Sequence, residues 1–430
     1  CLFRLDAKSS FPSPLFLLSG GEQYCNSFAA SLAAPCQSAG TLRQISMRLL
    51  AGMAISCSKA SDWLRASAST HSKSRIPRNG SSLFSRRSKA ALLGLVNATP
   101  EVLKESLPFL RIMFVFGFGM MLFFMLGGAL RSAGDSRTPL TLGLAVTIGN
   151  IAFNVLFIRG FGPVPAFGTR GAAMGTVLSS GLVGAYAIYK LFNGSWVIDF
   201  RHVSWKPDWE IIRALFRFGL PTGLQGIAMN IAGVMLLGFI GATSMSAEAQ
   251  ASFAVGYSQL FSLVSWTSVG LMGAAAAIAG QNLGAGQPER SRQAVWQAAR
   301  MGLVIAVVVG SLFLTIPGPL LGLFGLTQPD TVRLGTELLA YLSVSGLFIT
   351  VALTFTGGLQ GTGDTRSPLF ITLASQFALP IGMLTALQAT RPLQPRDIWL
   401  AIVLGHALRC VLSVWRFEQG KWKSIEVKLG

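Results

Sequence analysis

Acidic residues are scarce in this 430-residue chain. Its 17 Asp and Glu face 35 Lys and Arg, and the four types together make up only 12% of the sequence. A soluble domain carries about a quarter of its residues as charges. With 51% hydrophobic residues and a mean hydropathy of +0.54, a soluble globular protein is excluded. Cysteine is also rare. Cys1, Cys25, Cys36 and Cys57 fall in the first 57 residues, and Cys410 stands alone in a late apolar segment. No CxxC and no Cys/His spacing occurs, so neither a metal site nor a disulfide framework is readable. There is no Gly-Lys-Ser/Thr phosphate loop and no nucleophile–base constellation, which argues against ATP-driven work and against an enzyme. The apolar run between Met47 and Cys57 is too short to span a bilayer, and no signal peptide is evident.

The net charge of +18 does not imply a nucleic-acid partner. Residues 1–89 hold 12 Lys/Arg against 3 Asp/Glu, and the remaining 341 hold 23 against 14. In that longer part the basic residues occupy short gaps between apolar segments, where topology-setting charges belong. Apolar segments of bilayer length are predicted near 106–130, 140–159, 171–193, 214–241, 248–280, 296–325, 335–360, 369–389 and 397–416. Their Gly, Ala and Ser content allows close approach of helices in lipid. Arg131, Arg137, Lys190, Arg213, Arg217, Arg290, Arg292, Arg300, Arg366, Arg416, Lys421 and Lys423 all fall on one side of this alternating arrangement. That side is expected to be cytoplasmic, with the C-terminus on it, in a multi-pass protein of the cell's inner (plasma) membrane. Gln287 to Trp296 opens with Pro288 and Glu289, as helix starts often do, and is expected to lie along the membrane surface before the next span.

A repeat organises the chain. Leu130-Arg131-Ser132-Ala133-Gly134-Asp135-Ser136-Arg137-Thr138-Pro139-Leu140 returns 229 residues later as Leu359-Gln360-Gly361-Thr362-Gly363-Asp364-Thr365-Arg366-Ser367-Pro368-Leu369. Upstream, Leu92 to Val96 before Pro100-Glu101 echoes Leu320 to Phe324 before Pro329-Asp330. Duplicated apolar halves are a mark of secondary transporters. In each copy the glycine, Gly134 or Gly363, permits a sharp turn, and Pro139 or Pro368 suits the first turn of the next helix. Asp135 and Asp364 are placed to cap that helix, while Arg137 and Arg366 meet headgroups or pair with the acid. This is a loop staple at the membrane edge, with a part in gating and not in ion coupling.

From about Ala90 to the C-terminus the chain resembles the multidrug and toxic compound extrusion (MATE) family. The resemblance rests on Leu130 to Pro139, on Gly168-Thr169-Arg170-Gly171-Ala172-Ala173 with Thr176, and on Gly280-Gln281-Asn282-Leu283-Gly284-Ala285-Gly286. It rests also on Gly361 to Arg366 and on Arg416-Phe417-Glu418-Gln419-Gly420-Lys421-Trp422. It implies an all-α polytopic membrane protein of two pseudo-symmetric six-helix lobes. The function implied is export of organic cations, drugs or metabolites by alternating access, in exchange for H⁺ or Na⁺ and without any cofactor. The expected partners are small organic, cationic substrates and the lipid bilayer, with the chain acting as a monomer.

On this plan 90–193 is the remainder of the first lobe, with three helices, and 194–213 is a cytoplasmic linker. Residues 214–417 form the second lobe of six helices, and 418–430 a basic cytoplasmic tail. Residues 1–89 are Ser/Arg-rich and match nothing in the family pattern. They are expected to be read in a shifted frame or to form a disordered tail, which leaves the first lobe incomplete. A non-functional remnant and a lipid-linked oligosaccharide flippase of the same superfamily are the alternative readings.

No carboxylate falls at mid-depth in the nine predicted helices. Glu105, Glu248, Glu337 and Asp397 all lie near helix starts. The resemblance places the acids of the NorM type at Met229 and Ile349, and the Asn/Asp pair of another branch at Asn150 and Asn154, so the coupling acid is expected in the unreadable first helix. The remaining candidates are Asn150 and Asn154, for an ion site or helix–helix hydrogen bonding, and Gln225 and Asn230 after Pro221. Gln281 and Asn282, with Gly284 and Gly286, make a helix-end motif. His406 and Arg409 are expected to bond to neighbouring helices or to snorkel. Tyr257, Phe261 and Trp266 suit either a cavity for flat cations or the core.

Overall fold

The computed structural model describes residues 100–430 apart from 199, 201–206 and 426–430, with side chains from Ser106 onward. The expectations for residues 1–89 lie outside the described residues. Regular structure is helical, with one isolated bridge between Phe161 and Val164. The helices are α1 (Pro100–Phe116), α2 (Phe118–Ser132), α3 (Arg137–Arg159), α4 (Thr169–Phe192) and α5 (Trp209–Gly241). They continue with α6 (Ser246–Val255), α7 (Ser262–Gly284), α8 (Pro288–Thr315), α9 (Pro317–Gly322) and α10 (Pro329–Gly361), then α11 (Arg366–Thr372), α12 (Leu379–Thr390) and α13 (Pro395–Glu418). Two π-helical segments, Gly256–Leu260 and Leu373–Ala378, join α6 to α7 and α11 to α12. Among the described residues eight helices are long and apolar enough to cross a membrane, and nine if the bent pair α1–α2 is one span.

Three of the departures from the sequence-based expectation have a clear local reason. The single span expected over 106–130 is bent by 52° at Gly117. A Cβ at Gly117 would stand 2.3 Å from the Met113 carbonyl oxygen, so only glycine fits the break. Gln287 to Trp296 is not a separate surface segment. Pro288 starts α8, and the helix then runs unbroken to Thr315. The 369–389 span widens into a π-helix just before Pro380, whose missing N–H cannot bond the Gln376 carbonyl four residues back.

The chain divides into two compact units. One holds the described residues up to Phe123 together with Ser136–Ile212, and the other holds Phe124–Asp135 and Arg213–Gly430. In the first, α3 and α4 lie close because α4 presents small residues. Gly171 faces the Phe157 carbonyl, Gly175 the Asn154 side chain, and Ser179 the backbone at Gly149. The other face of α3 shows Leu140, Leu144, Ile148, Ile151 and Val155 in an exposed helical stripe, the pattern of a lipid-facing surface.

In the second unit α10 is the buried centre, with α7, α8 and α13 packed around it. Gly357 and Gly361 stand one turn apart, where an added Cβ would come 2.2 Å from the backbone oxygens of Met272 and Ala276 on α7. This is a small-xxx-small contact, which brings two helix backbones together without a hydrophobic drive. Beyond α13 the chain turns at Gly420 (φ 70°) into the short 3₁₀ turn Lys421–Ser424. There Trp422 is buried against Phe417, which meets Phe355, which in turn meets Trp296. Trp422 Nε1 donates to the Phe417 carbonyl at 2.7 Å. The basic tail therefore begins with an anchored ring.

Two substitutions test the α7–α10 contact. Gly357→Ala with Gly361→Ala pushes against backbone that cannot swing aside, at a cost of about 1–3 kcal/mol per site. The double variant should melt well below the parent in detergent. Gly382→Ala, where nothing stands within 4 Å of the new methyl, should melt with the parent.

Candidate functional site

The repeated motif builds the same turn twice. In the first copy the Asp135 N–H donates to the Leu130 carbonyl at 2.9 Å and the Gly134 N–H to Arg131 at 3.1 Å. In the second, Asp364 donates to Leu359 at 2.9 Å and Gly363 to Gln360 at 3.1 Å. Gly134 and Gly363 have φ of 90° and 94°. This is the glycine-terminated helix end that satisfies the last carbonyls of α2 and α10. Gly286 (φ 71°) closes α7 in the same way, with Gln287 donating to Asn282 at 2.8 Å. Gly284 is the last residue of that helix.

Beyond the turn, Asp364 serves two elements. Its Oδ1 accepts the Ser367 N–H at 3.1 Å in the first turn of α11, and its Oδ2 accepts from the Ser367 hydroxyl at 2.7 Å. The same Oδ2 accepts from Arg416 of α13, from Nη2 at 2.8 Å and Nε at 3.0 Å. Asp364 is buried, whereas Arg366 is exposed. The partner of the acid is thus the arginine of the tail motif, 52 residues on, and not the motif's own arginine. Pro139 and Pro368 are buried in the first turns of α3 and α11. Arg137 is exposed. Gln281, near the end of α7, reaches the other copy of the motif, its Nε2 donating to the Ser132 carbonyl at 2.9 Å. Asn282 turns back to Ile278 on its own helix.

Asn150 and Asn154 share a face of α3, one turn apart, and form a string with α4. Thr176 Oγ1 donates to the Ala172 carbonyl at 3.0 Å and accepts from Asn150 Nδ2 at 3.0 Å. Asn150 Oδ1 accepts from Asn154 Nδ2 at 2.7 Å. The string ends in Asn154 Oδ1, a buried oxygen that accepts no hydrogen bond. Gly175 leaves the room for it, since a Cβ there would stand 2.3 Å from that oxygen.

The second unit has its own amide junction. Gln225 of α5 donates to Thr372 Oγ1 at 2.8 Å and accepts from Gln360 Nε2 at 3.3 Å. Gln360 is fully buried at the end of α10, and its Oε1 accepts no hydrogen bond. Asn230 stands apart. It is exposed and makes only a long bond to Gly226 on its own helix. Gln360 and Thr372 were missed as site residues, although Gln360 lies inside the repeat and is a lone amide in an apolar run. His406 and Arg409 are both buried. His406 Nδ1 meets the Ser345 hydroxyl, and Arg409 Nη1 stands 3.8 Å from Met229 Sδ. They bond to neighbouring helices and do not snorkel. Tyr257 and Phe261 lie in a ring stack with Phe253, Trp399 and His406, packed into the buried core of this unit. Trp266 is half-buried outside that stack.

Carboxylates stay at the ends of the spans. Glu337 pairs with Arg396, and Asp397 pairs with Arg391 at 2.6 Å while accepting the Gln394 N–H at 2.9 Å. The Asp397 carboxylate holds the Arg391 guanidinium above its ordinary pKa. Among the described helices no Asp or Glu occupies a central turn.

The MatE family model matches residues 89–156 and 221–384, more than half of the chain. A probable multidrug resistance protein NorM of Thermotoga maritima is 25% identical over 333 residues, covering 76% of this chain and 71% of that protein. One of the same name from Brucella suis is 28% identical over 301 residues, covering 66% of this chain and 60% of that protein. Among solved structures, the eukaryotic MATE transporter AtDTX14 superposes with a TM-score of 0.76 at 18% identity, covering 95% of this chain and 86% of that one. A MOP superfamily transporter from Pyrococcus furiosus gives 0.71 at 20% identity, with 96% and 90% covered. The two-lobe all-helical fold agrees with these structures.

The Asp364 junction gives a sharp test. Asp364→Ala leaves Arg416 facing a largely buried gap, a loss of about 3 kcal/mol, and removes the cap of α11. Its melting temperature in detergent should fall clearly, while Arg366→Ala should match the parent. Equal melting of the two variants would refute the pairing.

Proposed function

Because the chain belongs to the MatE family, whose members are membrane transporters and not enzymes, we propose that it exports small organic molecules, organic cations among them, by alternating access in exchange for H⁺ or Na⁺. Exported molecules would include drugs or metabolites, in keeping with the relatives named for multidrug resistance. The observation that carries the coupling reading is the string Thr176–Asn150–Asn154 with its open terminal oxygen. A buried carbonyl oxygen that accepts no hydrogen bond is a cost in lipid, and one that a cation or protonated donor relieves. The string would polarise that oxygen, since each amide donates back toward α4 and leaves negative partial charge at its end. An amide supplies a ligand and no charge, so a carboxylate that completes the site would have to come from elsewhere in the protein.

The duplicated turn supports an alternating mechanism, because each copy ends one span and starts the next at matching points of the two repeats. We place the chain in the plasma membrane, working as a monomer, with its C-terminus in the cytoplasm. Arg131, Lys190, Arg213, Arg217, Arg290, Arg292, Arg416 and Lys421 all flank the helix ends that share that side if each span crosses once.

Ethidium efflux from a pump-deficient host tests the transport reading. Efflux should exceed the empty-vector control and collapse either with a protonophore or on removal of Na⁺. Asn154→Ala should lower it about tenfold, as loss of one ligand of roughly 1.4 kcal/mol implies, and Asn230→Ala should leave it unchanged. Absence of efflux, with lipid-linked sugar crossing vesicles that hold the protein, would transfer the chain to the flippase class. The orientation has its own measurement. A C-terminal green fluorescent protein fusion should fluoresce and a C-terminal alkaline phosphatase fusion should be inactive; the reverse pattern would invert the topology.

A further inference from the structure

The first turns of α8 carry a cluster to which the proposed transport reading assigns no role. Arg292, Gln293, Trp296, Gln297 and Arg300 line a surface recess of about 340 Å³. Glu418, at the end of α13, fixes one wall. It accepts from Arg292 Nη2 at 2.7 Å and from Trp296 Nε1 at 2.8 Å. The Trp296 ring is held from below by Phe355. Nearby, Glu289 is held by Lys423, so both acids flanking this start of α8 are already engaged by cations. Arg300 is different. It is exposed on the rim and makes no ion pair or hydrogen bond among the described residues.

Below the rim the same face of the helix changes character. Met301, Val304, Val307 and Val308 are all exposed. At 1.5 Å rise per residue, Val304 and Val308 lie about 6 and 12 Å deeper along the axis than Arg300. A cation, two amides and an indole thus sit directly above an uncovered aliphatic stripe on one continuous helix. An amphiphile with an anionic head and alkyl chains matches both parts. A soluble anion matches only the upper one.

We propose that this recess binds the phosphate headgroup of an anionic membrane lipid, whose acyl chains run along Val304 and Val308. Arg300 is its principal charge contact. Gln293 and Gln297 donate to the phosphate oxygens, and the Trp296 indole borders the glycerol region, the level at which tryptophan is enriched in bilayers. The proposal needs the chain to lie in a bilayer and is independent of which solute it exports.

Native mass spectrometry of the full chain, released from nanodiscs of phosphatidylglycerol and phosphatidylcholine, tests it. The parent should retain phosphatidylglycerol adducts in preference to phosphatidylcholine. Arg300→Gln should retain about fivefold less, and Val304→Asn should also lose retention. Arg290→Gln, which changes an arginine already bonded to Gln287 just ahead of the helix, should behave as the parent. Melting in phosphatidylcholine should be the same for all four proteins, so a loss of adduct is not a loss of fold. Equal adducts in the parent and Arg300→Gln would overturn the site. Displacement of the lipid by millimolar glycerol phosphate, with Val304→Asn unaffected, would overturn the lipid and leave a soluble phosphate in its place.

Discussion

Every helix that ends at a bilayer edge leaves carbonyl groups that water satisfies poorly there, and the fold is arranged around that constraint. The repeated Leu-x-x-x-Gly-Asp pattern is its solution. Glycine at φ near 90° folds the chain back so that two backbone N–H groups reach the final carbonyls of α2 and of α10. The residue after the glycine is then delivered to the start of the next helix, which is where an aspartate is useful. Turn, cap and helix restart follow from one backbone conformation, and this explains why the motif is copied whole and not in fragments. A third use of the turn closes α7 at Gly286 without the aspartate, and there α8 starts directly with Pro288.

Much of this was legible in the sequence, and the failures are local. All nine predicted spans correspond to helices or bent pairs, because uninterrupted apolar length is a strong signal when the solvent is lipid. The break at Gly117 was not readable, and its counterpart shows why. Gly346 stands 229 residues later at the same point of the repeat, in the middle of an unbroken α10. There Val264 and Phe261 pack against the glycine from α7 and the turn before it. Glycine permits a bend, and the packing around it decides whether one occurs. The π segments were equally hidden, although Pro380 marks one of them.

The polar residues divide along the same line. The sequence singled out Asn150, Asn154 and Gln225 because amides in apolar runs are conspicuous; Asn150 and Gln225 prove to be bonded to neighbouring helices, and Asn154 to Asn150 on its own. Asn230 looked identical on paper and faces outward. What periodicity could not supply was the second partner. Thr372, Gln360 and Ser345 are ordinary residues until the helices meet, and Arg416 became the mate of Asp364 only through the packing of α13. Small residues do the rest of the positioning. Gly175 lets Asn154 sit against α4, and Gly405 lies against the Ser375 carbonyl in the second unit, so each repeat uses a glycine of its last helix to admit the helix before it.

Asp364 answers to three segments at once: α10 finishes at it, α11 is capped by it, and α13 is clasped to it through Arg416. A spectroscopic label on any one of these ends would therefore track the displacement of the other two. Whatever movement passes through this half of the molecule must be absorbed away from that rivet. The nearest backbone with irregular hydrogen bonding is the π segment Leu373–Ala378, about two helical turns beyond the capped end. On this arrangement the stiff end is the one that carries the charged residues, and the pliable part of the same span is set deeper, where that span holds only amides and hydroxyls.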